Sequence, residues 1–470
     1  MIRLPYLVPA LSALALLSAT TARAGCVEGP TNAYVCTGTQ TGGLTDGDAG
    51  VTVDVLTGAT VENSGNDALR LRGAGPVVTN HGTLKTVIDG DGVDSNDATK
   101  SGLTLINTGT IDVAARGVNA DNRNDVTVIN SGLINAPTND GIRLGAGANA
   151  RVENIGTLKA GDEGLEAGND AVVLNGPGAL FQAVEDGVQV GENARIENEG
   201  TIESIITDPD PDNWGDGIDI DSGTIVNTGT IRSVDGAGID YDASTVAQSQ
   251  ILNSGTIEGG TGVEVELGGG VDPANTKSQW IRSDGIITGL DGIAIELGAG
   301  DDIVEIFDSL SFLNPVAGVE SDTLTLGSAG PVEVNGITDL GDDDDSLGIF
   351  NTAGGGLYQA ALSDLFDGGN GTDTARFSAS RQEFVAASGT GADLQIRFSN
   401  GVDGITLDLA NFEWIAFGVD PLTGTGGKVF SVNRIARGPS AIPVPAAVWL
   451  AGSGLAALAG LRLRRRGRRA

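Results

Sequence analysis

The sequence predicts an all-β fold, a parallel β-helix (β-solenoid) with a C-terminal single transmembrane helix. Three observations carry that prediction. A short phrase returns about every 24 residues, in the range that marks solenoids and arrays. The composition is rich in Gly and β-branched residues, with Gly at 73 of 470 and aromatics at 4%. An uncharged stretch near the C-terminus ends in a cluster of arginines.

The phrase reads "INTGTIDV" at 106–113 and returns as "TNHGTLKT", "INSGLINA", "ENIGTLKA", "ENEGTIES", "VNTGTIRS" and "LNSGTIEG". Its Asn, or a stand-in, falls at Asn63, Asn80, Asn107, Asn130, Asn154, Asn175, Asn198, Asn227, Asn253 and Ser283. Two residues earlier stand Val61, Val78, Leu105, Val128, Val152, Val173, Ile196, Ile225, Ile251 and Ile281. Four residues later come Leu84, Ile111, Ile134, Leu158, Ile202, Ile231, Ile257 and Ile287, with Asp67 and Ala179 as misses. All these offsets are even, so in extended chain the side chains share one face, and the Asn shares it too. A further apolar pair after a Gly, such as Ile142 with Leu144 or Val188 with Val190, gives each unit a third strand.

Coiling each unit once and stacking it on the next pairs every strand with its equivalent one turn away. Asn at one corner then stacks on Asn above and below, as amides do in stacked strands. The Gly two residues on permits a tight or left-handed bend, and Thr and Ile suit the strand that follows. Helices are a poor alternative, because Gly, Asn, Thr and Val dominate where Ala, Leu, Glu and Lys are needed. At about 4.8 Å per turn the rod reaches roughly 50 Å by residue 300 and about 70 to 80 Å if it runs on to residue 430. Two longer units, 206–217 and 268–280, read as loops thrown out from a corner, each ending near a Trp, Trp214 or Trp280.

Residues 1–24 read as a secretory signal: Arg3, an apolar run, then Ala22 and Ala24 before the cleavage point. The only cysteines, Cys26 and Cys36, follow at once and in an oxidising compartment close a short loop. From Ile442 to Leu461 no residue is charged, and six arginines fall in the last nine residues. Such a span reaches the minimum for a membrane helix and leaves the arginines in the cytoplasm. Ile442, Pro443, Val444, Pro445 and Ala446, the span and the Arg tail together resemble the PEP-CTERM class of sorting signals, in its VPLPA variant. The resemblance covers only the last thirty or so residues. It implies a Gram-negative surface or matrix protein, held transiently in the inner membrane and processed by an exosortase-type peptidase. Without the eight arginines of the two ends, 19 basic residues face 62 acidic ones, a net charge near −43. That charge excludes nucleic acid as a partner and disfavours anionic lipid.

Beyond residue 297 the phrase changes. "LGAGDDIVE", "LGDDDDSLG" and "GGNGTDTAR" are similar to the nonapeptide of calcium-binding β-rolls, with Asp302, Asp345 and Asp373 in the carboxylate position. The resemblance implies Ca2+ at those three residues, although true rolls stack such repeats back to back and these lie 43 and 28 positions apart. With the upstream units, these segments also look like autotransporter passenger repeats, and the chain has no counterpart of that family's translocator barrel. The expected organisation is a signal peptide at 1–24, a β-helix at 25–300, its continuation with Gly/Asp motifs at 301–436 and the sorting signal at 437–470.

Parallel β-helices include polysaccharide-degrading enzymes, so chemistry has to be sought. "GDGIDID", with Asp216, Asp219 and Asp221, is similar to the acidic motif of pectin hydrolases. That family's second Asp pair, Gly-His-Gly and Arg-x-Lys elements are missing. The single histidine, His81, fills the variable place of the repeat. No P-loop or zinc spacing occurs. The sequence therefore points to an exported, non-enzymatic surface rod of adhesin-like or matrix-scaffold type that meets exopolysaccharide or other surface polymers. A β-helix glycoside hydrolase is the alternative.

Overall fold

The repeated phrase becomes one corner of a coil. The computed structural model describes residues 25–206, 215–241, 249–265, 279–296, 302–306, 311–313, 315–316, 323–328, 333–335, 337–340, 344–351, 365–379, 383–389, 393–399, 404–419 and 426–432. The signal segment, Trp214 and the sorting motif Ile442, Pro443, Val444, Pro445 and Ala446 lie outside the described residues. Among those described, no helix is long and apolar enough to cross a membrane.

Each turn supplies three short strands. One turn is Val77–Asn80, Thr83–Thr86 and Val93–Asp94; the next is Ser101–Asn107, Thr110–Asp112 and Val118–Asn119. Equivalent strands pair in parallel, with Asn80 opposite Asn107, Leu84 opposite Ile111 and Val93 opposite Val118. Three columns of strands result, and the alternating aliphatic residues of each point into one continuous core. Val78, Leu105, Val128, Ile196 and Ile225 of the first column are 0% exposed, as are Leu84, Ile111, Ile134 and Ile202 of the second and Ile142, Val188 and Ile218 of the third. Burying each such side chain contributes about 1.5 to 3 kcal/mol, so the core repeats its contribution with every turn.

The Asn column is a hydrogen-bonded ladder. Nδ2 of each Asn donates to Oδ1 of the next, from Asn80 to Asn107 at 2.7 Å through Asn130, Asn154, Asn175, Asn198 and Asn227 to Asn253, where Nδ2 meets Ser283 Oγ at 3.0 Å. The same Nδ2 atoms also reach a main-chain oxygen of the following turn, as Asn175 does at Thr201. All the amides point one way along the coil.

Three details of the sequence reading change. Asn63 does not open the ladder: Val61 and Asn63 lie opposite Leu84 and Thr86 in the second column, while Val55 lies opposite Asn80 in the first. Val53, Val55 and Val61 alternate identically in either frame, so period two alone could not choose between the columns. Asp67 consequently sits on a turn. Ala179 misses because the corner 176–179 is longer there, and Phe181 takes the core position opposite Leu158 and Ile202. Except at the longer Asn175 corner, where Gly178 has φ 73°, the Gly after each Asn of the ladder serves close stacking rather than a left-handed bend. A Cβ on Gly132 would stand 2.0 Å from Gly109 O, and one on Gly109 2.2 Å from Gly82 O. Left-handed residues lie instead at another corner, where Asn149, Asp170 and Asn193 have φ near 60°.

Both ends of the coil are closed by antiparallel strands. Gly25–Glu28 pairs with Ala33–Thr37, placing Cys26 opposite Cys36, and the two form a disulfide. Beyond residue 300 the first column continues through Ile303–Ile306, Thr323–Ser328, Ser346–Asn351, Thr374–Phe377 and Trp414–Val419. By register the Asn ladder gives way there to Ile306, Leu326, Ile349, Phe377 and Phe417. Gly426–Ser431 then turns back along Trp414–Val419. On the opposite face Phe384–Gly389, Asp393–Ser399 and Gly404–Ala410 form a meander joined in parallel to Leu365–Asp367. Phe377, Phe384, Phe398, Phe417 and Phe430 fill the space between, with ring centroids 4.9 to 6.2 Å apart.

Candidate functional site

Turns leading into the third column carry an acidic residue followed by Gly: Asp91-Gly92, Asp140-Gly141, Glu163-Gly164, Asp186-Gly187 and Asp216-Gly217, with Arg116-Gly117 among them. The glycines stack so closely that a Cβ on Gly92, Gly117, Gly141, Gly164, Gly187 or Gly217 would lie 2.3 to 2.7 Å from the carbonyl oxygen of the next. The acidic residues beside them become a second column. Several of its carboxylates accept a main-chain N–H from the next turn: Asp67 from Asp91 at 3.0 Å, Asp91 from Arg116 at 3.0 Å, Asp186 from Asp216 at 2.7 Å and Asp216 from Ala237 at 2.6 Å.

The column is densest around Asp140, whose side chain is 0% exposed. Its Oδ2 receives Arg116 Nε at 2.9 Å and Arg143 Nη1 at 3.2 Å, and Arg143 also reaches Glu166 at 2.7 Å. Carboxylate atoms of Asp140, Asp162 and Glu163 lie within 4.8 Å of one another. Asp140 Oδ1 and Glu163 Oε2 are both buried and meet no N–H or O–H of another residue. A proton on Glu163 makes them partners. Burial, then the bond to Asp140, pushes Glu163 up to about 8. Burial opposes ionisation of Asp140, but the Glu163 proton and the guanidinium groups of Arg116 and Arg143 outweigh it and hold its carboxyl below the usual range. One turn on, burial and the neighbouring Asp162 raise Glu185 to about 7.

This arrangement holds an ionised carboxylate against a neutral carboxylic acid at neutral pH. A divalent cation here would sit beside two guanidinium groups that already neutralise Asp140.

Asp302, Asp345 and Asp373 share one column too, each just ahead of a first-column strand, and are 1%, 2% and 0% exposed. Asp302 Oδ1 accepts the Gln279 N–H at 2.5 Å, Asp373 Oδ1 the Asp345 N–H at 2.8 Å, and Glu413 continues the series by accepting the Asp373 N–H at 2.9 Å. Burial, opposed by the Asp345 N–H, raises Asp373 to about 6. Asp345 and Asp373 thus lie on adjacent turns, with Asp302 two turns before Asp345, and the three do not converge as Asp140, Asp162 and Glu163 do.

The other sequence candidates disperse. Asp216 belongs to the turn column, and Asp219 accepts Gln189 Nε2 at 2.8 Å on the outer face of the third column. His81 Nδ1 meets Thr108 Oγ1 at 2.6 Å on an exposed corner. Trp280 turns its Nε1 onto Glu305 at 3.0 Å. What the sequence reading missed is the Asp140 group and the buried Arg123, whose Nη1 holds the carbonyls of Gly73 and Gly102. The recurring acid-Gly pair before the third apolar pair was the available signal for the first. No family model, curated protein or solved structure matches the chain.

Fold and site together define a class: a β-solenoid whose buried polar residues form ladders from turn to turn.

Proposed function

We propose that the chain is an exported, surface-sorted, non-enzymatic rod that acts as an adhesin-like or matrix scaffold. The observation that supports this best is the unbroken amide ladder from Asn80 to Ser283, which commits the most regular polar residues to rigidity along the axis. The acids that looked catalytic in sequence are similarly engaged, Asp216 with a main-chain N–H and Asp219 with Gln189. Export and sorting rest on sequence: the signal at 1–24, and the motif Ile442–Ala446 with its span and Arg tail. In this reading an exosortase-type peptidase cuts near Pro443 and Pro445, whose rings disfavour helix at the membrane face. Mass spectrometry of surface-recovered protein tests the sorting half: its C-terminal peptide should lack the tail beginning at Arg462.

A glycosidase is the second reading, carried by the acidic run Asp216, Asp219 and Asp221 of the sequence. Purified protein set against a panel of acidic and neutral polysaccharides separates the two. Binding without cleavage supports the rod. Product formation lost in Asp219→Ala overturns it.

A further inference from the structure

The two ends of the coil match each other. At the leading end the outermost first-column strand, Gly25–Glu28, runs against the direction of the column. At the trailing end Gly426–Ser431 does the same. In the third column the leading strand Leu44–Asp46 runs with the column, being parallel to Leu69–Leu71. The trailing strand Phe384–Gly389 also runs with it, because two successive antiparallel pairings restore the direction set by Leu365–Asp367. Among the described residues none of these four strands has a neighbour on its outer side. A second copy set head to tail therefore meets parallel strands on both faces, the same pairing used between successive turns within the chain.

Charge selects that orientation. Glu28 lies opposite Tyr34, which packs against the core, and on the same side of its strand as Cys26, so it points along the core-facing side at the leading end. Lys428 lies opposite the buried Phe417 and points along the core-facing side at the trailing end. Both are exposed. An inward-pointing charge on an edge strand ordinarily blocks further pairing. Here the two ends carry opposite signs, so head-to-head contact brings Glu28 against Glu28, tail-to-tail contact brings Lys428 against Lys428, and only head-to-tail contact pairs Glu28 with Lys428. Val27 and Val429, 54% and 58% exposed, sit beside these charges and add apolar area to the contact.

We infer that this chain assembles with further copies of itself head to tail, Gly25–Glu28 of one docking on Gly426–Ser431 of the next. Such a heterologous contact does not close on itself and produces an open filament. The inference stands apart from the adhesin reading, since it requires no polysaccharide and no surface location.

Sedimentation velocity and negative-stain microscopy of the purified full chain test it over a wide concentration range. Wild-type protein should form filaments one coil in width above a threshold concentration. Glu28→Lys or Lys428→Glu should raise that threshold about tenfold or more, because like charges then meet at the joint. The double variant E28K/K428E should restore it. Melting curves of all three variants check that the coil itself is intact. Monomers at every wild-type concentration would overturn the inference, as would single variants that assemble normally or a folded double variant that fails to recover.

Discussion

Asn154→Ala measures what the ladder contributes. Asn154 is fully buried and makes four bonds: Nδ2 donates to Asn175 Oδ1 at 3.0 Å and Leu180 O at 3.1 Å, and Oδ1 accepts Asn130 Nδ2 at 2.9 Å and the Gly156 N–H at 3.2 Å. The substitution leaves the Gly156 N–H, the Leu180 carbonyl and Asn175 Oδ1 each without that partner. Asn130 Nδ2 keeps only longer contacts, to Gly132 O and Thr157 O at 3.4 Å. At about 1 to 3 kcal/mol for each buried group left unsatisfied, and with a water able to enter the vacated space, the expected loss is about 3 to 5 kcal/mol. Ile155→Ser at the neighbouring corner position, 63% exposed, should stay within about 0.5 kcal/mol. Turns of a solenoid contact mainly their neighbours, so the loss should appear locally. Urea unfolding followed by hydrogen exchange at the amides of 124–204 reads it. If Asn154→Ala came within about 1 kcal/mol of wild type, the ladder would be an alignment of amides with little net contribution, and the reasoning would fail.

Three further outcomes follow from the same geometry. Glu163 has its folded-state pKa raised from 4.5 to about 8, so its contribution is complete below 4.5 and is lost as pH climbs through 8. With Asp140, Asp162, Glu185, Arg116 and Arg143 around it, Glu163→Gln should melt near the wild-type temperature at pH 4 and progressively above it towards pH 9; parallel pH profiles would contradict the shared proton. Ile225→Asp, at 0% exposure, should unfold the neighbouring turns by placing a charge in the core, while Glu258→Lys on the outer face should do far less; equal damage would mean the facing is wrong. Asp373→Asn keeps an acceptor for the Asp345 N–H and should cost little, whereas Asp373→Ala should cost about 1 to 3 kcal/mol. A calcium site predicts instead that both variants lose a calcium-dependent rise in melting temperature.

The regular part of the coil was legible because its information is local and repeated. The even spacing of Val78, Asn80 and Leu84 recurs turn after turn, and the buried side chains found there are the ones the pattern names. Register at the first turn was not legible, since alternation is the same whichever column Val61 occupies. Contacts between turns were also invisible to spacing within a turn. Nothing within one turn reveals that a Cβ on Gly132 would collide with Gly109, or that Asp345 and Asp373, 28 positions apart, lie on adjacent turns. The trailing cap left a trace that spacing could not interpret: ten of the eleven phenylalanines lie beyond residue 300. Their ring contacts join strands that are not neighbours in sequence, Phe377 to Phe398 and Phe377 to Phe417 among them.

That change of core composition explains why the rod stops where it does. An Asn in the ladder column needs an oxygen acceptor on one neighbouring turn and a donor on the other, so the ladder has no natural end of its own. At Ser283 the hydroxyl accepts from Asn253 and from the Gly285 N–H, and the register position on the next turn is Ile306, which offers no polar side-chain atom. The column is then free of polar demand and can enlarge through Ile349 to Phe377 and Phe417. Large rings push the two facing sheets into a sandwich, where antiparallel strands can close the coil. A hydroxyl at one position thus separates a stretch built for indefinite repetition from one built to end. Extending the ladder by Ser283→Asn would leave an amide hydrogen with no side-chain acceptor at Ile306, and it should destabilise the junction at 279–306 by about 1 to 3 kcal/mol, even though Asn is the residue the repeat prefers. Hydrogen exchange at those amides reads the change, and a stabilised junction would show that the ladder tolerates an open end.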